Sequence, residues 1–236
     1  MTIRSKTILN LFYVFCFLLM VSFFAAQSRA DDDYDPKAIE YGQQGCEAMN
    51  KNDYEKAIKL FTKAIKIAPK FDKAYYNRGL SYKKMEKYEK ALADYNKAIE
   101  LNSNYTLALE GRGWVLQHKK MIKEALTDYN KAIELGTDDA VTYYNRGVII
   151  LEGRTSDLGI ADFLKATELD PKFFKAFYNI ACAYSLNKDE EKALVYLEKA
   201  VDAGLKELDF VMKDPDFDNI RNSDGFKKII EKLKGK

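Results

Sequence analysis

Histidine is nearly absent from this 236-residue chain: His118 is the only one. A His-paired nucleophile or a multi-histidine metal centre would need a second group that the sequence does not offer. Cysteine is scarce too, with Cys16, Cys46 and Cys182, which excludes a disulfide-rich scaffold. Four prolines and 12 glycines exclude collagen-like and low-complexity chains. The sequence has no Walker loop, dinucleotide-binding glycine pattern, zinc-ligand spacing or nucleophile elbow. Carboxylates are plentiful, but no pair of them stands in an apolar run that would raise a pKa. The chain reads as a non-enzyme, and no cofactor or metal is expected. A basic excess is also missing. Of 38 basic side chains, Arg4, Lys6 and Arg29 fall in the first 30 residues, where there are no acids, so 35 remain against 36 acids. Nothing is left to neutralise a phosphate backbone, and nucleic acid is not an expected partner.

What is present begins with an address. Arg4 and Lys6 precede an apolar run from Leu11 to Ala26, broken by Ser22, and small residues Ser28 and Ala30 stand before Asp31-Asp32-Asp33. This is the layout of a secretory signal peptide cut after Ala30. An uncleaved anchor over residues 8–26 is the competing reading, because the apolar run is long for a signal. The expectation is an exported chain, periplasmic or secreted, whose contact with a membrane is limited to this segment. A short acidic linker, 31–37, follows. If the host is eukaryotic, Asn104-Tyr105-Thr106 reads as a glycosylation site.

The rest of the chain repeats every 34 residues. Ala64, Ala98, Ala132, Ala166 and Ala200 share this spacing, as do Gly45, Gly79, Gly113, Gly147 and Ala181. Ala57, Ala91, Ala125, Gly159 and Ala193 form a third register. Large side chains keep step: Tyr41, Tyr75, Leu109, Tyr143 and Phe177, then Phe61, Tyr95, Tyr129, Phe163 and Leu197. Within one unit, Tyr75, Gly79 and Tyr82 fall at i, i+4 and i+7 of a first helix, and Ala91, Tyr95 and Ala98 stripe a second. Small residues at the crossing let two backbones approach, and the aromatics fill the space beside them. Glycine inside a helix costs about 1 kcal/mol relative to alanine, so close packing is its compensation. Pro69 and Pro171 stop their second helices. A single hairpin cannot bury its own apolar face, so neighbours must stack on it.

These registers resemble the tetratricopeptide repeat (TPR) family, which has small residues at positions 8, 20 and 27 and often proline at 32. The resemblance covers five repeats, 38–71, 72–105, 106–139, 140–173 and 174–207. It implies an all-α, right-handed superhelical solenoid with a C-terminal helical cap over 208–236. Ser103, Thr137 and Leu205 depart from the family proline, and Leu109 from its aromatic. In the cap, Phe226, Ile229, Ile230 and Leu233 form an amphipathic stripe after the break at Asp214-Pro215-Asp216.

The resemblance implies a function in protein–protein interaction, with the first helices lining a concave groove through positions 2, 5, 6, 9, 12 and 13. Position 5 gives Gly42, Tyr76, Glu110, Tyr144 and Tyr178. Position 6 gives Gln43, Asn77, Gly111, Asn145 and Asn179. Position 9 gives Cys46, Leu80, Trp114, Val148 and Cys182, and His118 lies one turn after Trp114. The partner-binding residues expected from this mapping are Tyr76, Asn77, Leu80, Trp114, His118, Tyr144, Asn145, Val148, Tyr178 and Asn179. Asn77, Asn145 and Asn179 form a broken ladder of amides, each with the donor and acceptor that match a peptide unit. The tyrosines and Trp114 are of the kind enriched at binding hot spots. Both sets also have a purely structural reading, in which the tyrosines pack on neighbouring helices and the amides are solvated. Lys73, Lys83, Lys84 and Lys175 outnumber Glu110 and Glu152, which favours an acidic segment or a free carboxylate as ligand. The carboxylate clamp of chaperone-tail binders is absent: Gly42, Cys46, Asn77, Leu107 and Gly111 keep one of its five residues.

Two alternatives remain at this level. One is a self-assembling envelope scaffold, a homo-oligomer joined through the convex face or the C-terminal helix. The other is a small-molecule or glycan-binding module built on the aromatics near Trp114. In the solenoid Cys46 and Cys182 lie eight helices apart, too far for a disulfide, and both are expected to be buried. Arg78, Arg112 and Arg146 recur beside the position-8 glycine and point to a partner on an adjacent helix.

Overall fold

A computed structural model describes residues 34–151 and 157–235. The expected signal segment 1–30, the start of the acidic linker and Glu152 lie outside the described residues. Every regular element among the described residues is helical. The first helices are α1 (Pro36–Asn50), α3 (Asp72–Lys84), α5 (Thr106–His118), α7 (Ala140–Leu151) and α9 (Phe174–Leu186). The second helices are α2 (Tyr54–Ile67), α4 (Tyr88–Leu101), α6 (Ile122–Glu134), α8 (Asp157–Leu169) and α10 (Glu190–Asp202). Short α11 (Leu208–Lys213), a 3-10 turn (Pro215–Phe217) and α12 (Asp224–Lys234) follow. No helix among the described residues is long and apolar enough to cross a membrane. The chain divides into two compact units, up to Ser103 and from Asn104, and within each the hairpins stack side by side.

Local chemistry sets the helix ends. Asp35, Asp53 and Asp189 each accept a backbone N–H of the first turn they precede, as does Ser223 at α12, and Pro36 opens α1 where a missing N–H costs nothing. Four hairpin turns close on a residue in the left-handed region: Asn52, Glu86, Lys120 and Lys188, with φ of 58–62°. These four stand 34 or 68 residues apart, so the turn repeats with the sequence.

The packing between paired helices explains the small-residue registers. Ala57, Ala91, Ala125 and Ala193, and Ala64, Ala98, Ala132, Ala166 and Ala200, have no exposed surface. At position 8 the first helix rests on the aromatic ring of the second. A Cβ on Gly45 would stand 2.6 Å from the Phe61 ring, on Gly113 2.9 Å from Tyr129, and on Gly147 2.8 Å from Phe163. The fifth repeat has Leu197 in place of the ring, and there alanine (Ala181) fits.

The three recurring arginines find their partners 16 residues on. Arg78 grips Asp94 through Nε and Nη2 at 2.8 and 2.7 Å, Arg112 grips Asp128 at 2.7 and 2.6 Å, and Arg146 grips Asp162 at 2.8 and 2.6 Å. All three aspartates are buried. Paired forks of this geometry hold a buried carboxylate that would otherwise be costly to desolvate. Two forks also reach the second helix of the preceding repeat, Arg78 to Thr62 Oγ1 at 3.1 Å and Arg146 to Asn130 Oδ1 at 2.9 Å. The guanidinium thus stitches three helices together.

At the C-terminal end the fifth hairpin is covered. Phe226, Ile229, Ile230 and Leu233 of α12 are buried in one cluster with Leu197, Ala200 and Val201 of α10, and Lys232 Nζ bridges Glu198 and Asp202 at 2.9 Å each. The stretch before α12 lies on α9 instead. Val211, Phe217 and Ile220 are buried beside Tyr178 and Ala181, and Asn219 Nδ2 donates to the Ser185 carbonyl at 3.0 Å.

Candidate functional site

The first helices carry the expected groove residues, and each unit presents its own part. In the first unit Tyr76, Asn77 and Leu80 of α3 are half-buried, one turn from fully buried Ala74 and Gly79. The Tyr76 ring lies against Tyr95 of α4, with centroids 6.0 Å apart. Beside them α1 and α3 border a cavity of about 420 Å³, lined by Ile39, Gly42, Cys46, Phe61, Phe71 and Asn77 among others. Cys46 is exposed there, against the expectation of a buried thiol, because Gly42 one turn earlier has no side chain to cover it.

In the second unit Trp114 is half-buried and stacks on exposed His118 at 5.4 Å, so the lone histidine belongs to a surface aromatic pair. Tyr144 sits between two phenylalanines, 5.6 Å from Phe163 and 4.9 Å from Phe173. Its hydroxyl accepts from Asn179 Nδ2 at 3.5 Å. Burial pushes the Tyr144 phenol above its usual range, and the Asn179 bond opposes this. Asn145 bonds instead to Tyr129 of the second helix α6, whose hydroxyl also donates to Gln117 Oε1 at 3.0 Å. Asn145, Asn179 and Val148 are half-buried. Asn179 thus joins two consecutive first helices through a tyrosine hydroxyl and Asn145 ties α7 to α6, each spending only part of an amide that offers two donors and an acceptor. Glu110, at position 5 of the third repeat, is tied to Thr137 Oγ1 of the following loop. Burial raises its carboxyl above the ordinary range.

Tyr178 is the expected groove residue that the structure withdraws. It is 6% exposed, its hydroxyl donates to Asp214 Oδ2, and Phe210 and Phe217 close on its ring at 5.3 and 5.5 Å. Residues 208–220 occupy this stretch of α9 and leave no room for a ligand on Tyr178. Cys182, one turn later, is buried with its Sγ 3.9 Å from the same Asp214 oxygen. Burial, with Asp214 and Asp216 nearby, drives the Cys182 thiol far above its usual range, so it stays protonated. Cys182, Asp214 and Asp216 bring ligand-type atoms within 4.8 Å of one another. The Asp214 carboxylate already accepts from Tyr178 and from the Asp216 backbone N–H at 3.0 Å, so the cluster pins the C-terminal segment to α9. Sequence reasoning expected a cap over 208–236 but not that its first part would lie on Tyr178. Its signal was the pair Phe210 and Phe217 flanking Asp214-Pro215, apolar rings ahead of the α12 stripe in the sequence; Phe217 bridges the two, 5.5 Å from the Tyr178 ring and 5.7 Å from Phe226.

Comparison with known proteins agrees with this arrangement. Family models described as tetratricopeptide repeat match residues 72–105 and 163–195, and one described as TPR repeat matches 47–86. Among solved structures, YrrB, "a TPR protein with an unusual peptide-binding site", is 28% identical with a TM-score of 0.60 over 75% of this chain and 91% of its own. Pseudomonas aeruginosa PilF is alike in fold, with a TM-score of 0.71 at 18% identity over 85% of this chain and 92% of its own. An uncharacterized Methanocaldococcus jannaschii protein, MJ0572, is 38% identical over 52 residues, which is 22% of this chain. The chain spans 60% of the length of that curated relative.

Proposed function

Because the chain belongs to the tetratricopeptide repeat family, we propose that it is a non-catalytic scaffold that holds a segment of a partner protein along its first helices. One observation carries this reading: an aromatic and amide face on the first helices remains half-exposed, while the residues one turn away are fully buried. Tyr76 and Asn77 supply it in the first unit, and Trp114, Tyr144, Asn145 and Asn179 in the second. Aromatic rings held in place by neighbours lose little entropy on contact, which suits them to anchor a partner. The amides would fix the register of an extended backbone by offering a donor and an acceptor together. The peptide-binding site attributed to YrrB, similar over most of its length, supports the same class of ligand.

The test is capture of a partner from an envelope extract by the mature chain, followed by its affinity for a Tyr76→Ala/Tyr144→Ala variant whose helicity matches wild type. At least a tenfold loss is expected, and an undiminished affinity contradicts the reading. The same proposal places the scaffold outside the cytoplasm, on the strength of Arg4, Lys6, the apolar run and Ser28/Ala30. N-terminal sequencing of the exported chain is expected to start at Asp31. An intact Met1 in the exported chain would turn this into membrane anchoring.

A further inference from the structure

We propose that the first repeat binds a tyrosine side chain of the partner segment in the space that Gly42 leaves between Phe61 and Phe71. This rests on the reading above and names one side chain of its ligand.

The argument comes from the protein's own fourth repeat. There the position-5 side chain, Tyr144, lies between Phe163 and Phe173, its ring centroid 5.6 and 4.9 Å from theirs, and its hydroxyl accepts from Asn179 of the next first helix. The first repeat keeps the two rings and the amide. Phe61 stands 34 × 3 residues before Phe163, Phe71 stands the same distance before Phe173, and Asn77 before Asn179. At the centre Tyr144 is replaced by Gly42, and along the same helix Gln43 and Cys46 stand for Asn145 and Val148. Two rings and an amide that elsewhere enclose a phenol therefore line a cavity of about 420 Å³. That volume is in the range of small-ligand sites.

The walls are held in place without the missing ring. Tyr34 stacks on Phe71 at 4.6 Å and donates its hydroxyl to the Lys70 carbonyl, while Phe61 is fully buried against Gly45. An ideal Cβ on Gly42 would stand 3.3 Å from Phe71 Cε1, so a ring entering here lies directly against that wall. The slot opens on the face that carries Tyr76 and Asn77, where the proposed partner segment runs. Ring stacking would supply affinity for any aromatic side chain, and the Asn77 amide would select one with a hydroxyl.

The experiment titrates the wild-type chain with N-acetyl-tyrosinamide and N-acetyl-phenylalaninamide while following the Phe61 and Phe71 ring resonances by NMR. Saturable binding with nuclear Overhauser contacts to both rings is expected, with tyrosinamide several-fold tighter. Asn77→Ala should bring the two probes to equal affinity, and Gly42→Tyr should weaken both at least tenfold by filling the slot from within. Absence of contacts to Phe61 and Phe71 at saturating probe overturns the proposal. So does equal binding to a folded Gly42→Tyr chain. If Gly42→Tyr does not fold, the wild-type contacts and the Asn77→Ala comparison decide. A captured partner whose affinity survives Gly42→Tyr but falls with Tyr144→Ala removes the slot and keeps the groove. One whose affinity survives both removes the groove as well.

Discussion

The first and fifth repeats use the same two positions in opposite ways. At positions 5 and 9 the first has Gly42 and Cys46, bordering an open cavity with the thiol exposed. The fifth has Tyr178 and Cys182, both buried beneath residues 208–220. The repeat therefore does not decide whether a first-helix residue can meet a ligand. What lies on it decides: no side chain at Gly42, and the chain's own C-terminal segment over Tyr178. A terminal repeat lacks the neighbour that would complete its core, and an apolar face left bare would be costly. At the C-terminal end that neighbour is built from Phe210, Asp214 and Phe217. Phe210 itself stays 59% exposed, so the cover is one layer thick.

The largest effect is expected where this cover is removed. Phe217 has no exposed surface, and Phe217→Ala should cost about 3–5 kcal/mol, seen as a lower urea midpoint. In a Cys16→Ser background, Cys46 should react with a thiol reagent in the native chain while Cys182 does not. Phe217→Ala should make Cys182 reactive and so bring the two ends together.

The next change makes a middle repeat resemble the ends, neither of which has an Arg–Asp fork. Asp128→Ala removes the buried carboxylate that Arg112 grips at a partly buried site and should cost about 3 kcal/mol. A midpoint unchanged from wild type would mean that the fork orders the helices without stabilising them.

Smaller effects separate the two ends at position 8. Gly45→Ala drives a methyl into the Phe61 ring and should cost about 1–2 kcal/mol after its gain in helix propensity. Ala181→Gly, over Leu197, should cost about 1 kcal/mol from helix propensity alone. Smallest of all are the turns. Lys188 holds φ of 61° without asparagine's tolerance for that region, so Lys188→Gly should stabilise by about 0.5–1 kcal/mol. Asn52→Gly at the other end should change little.

Much of this architecture was legible in the sequence, because packing of one hairpin imposes side-chain size at fixed intervals. Gly45, Gly79, Gly113 and Gly147 announced the helix crossings, and Ala181 with Leu197 marked the one place where the rule relaxes. The partners of Arg78, Arg112 and Arg146 were only half legible: their register pointed to an adjacent helix, and the structure supplies the residue. Each has an aspartate 16 residues later, a spacing that places the pair on facing sides of one hairpin. The candidate site was less legible. Repeat position gives the face on which a side chain lies, and the map of Tyr76, Asn77, Trp114, Tyr144, Asn145 and Asn179 rests on that. It says nothing about segments that obey no repeat, and residues 208–220 are such a segment. The exposure of Cys46 escaped for the reverse reason: it follows from a side chain missing at Gly42, while composition alone marks a free cysteine as a buried residue.

The central claim is that the first helices, rather than the second, meet the partner. It is tested most directly with a photo-crosslinking amino acid placed in turn at Leu80 and Val148 on first helices and at Glu100 and Lys165 on second helices. Illumination with a captured partner should give adducts from Leu80 and Val148 and none from the other two. Adducts from Glu100 and Lys165 alone would contradict the account and move the binding surface to the opposite face of the hairpins.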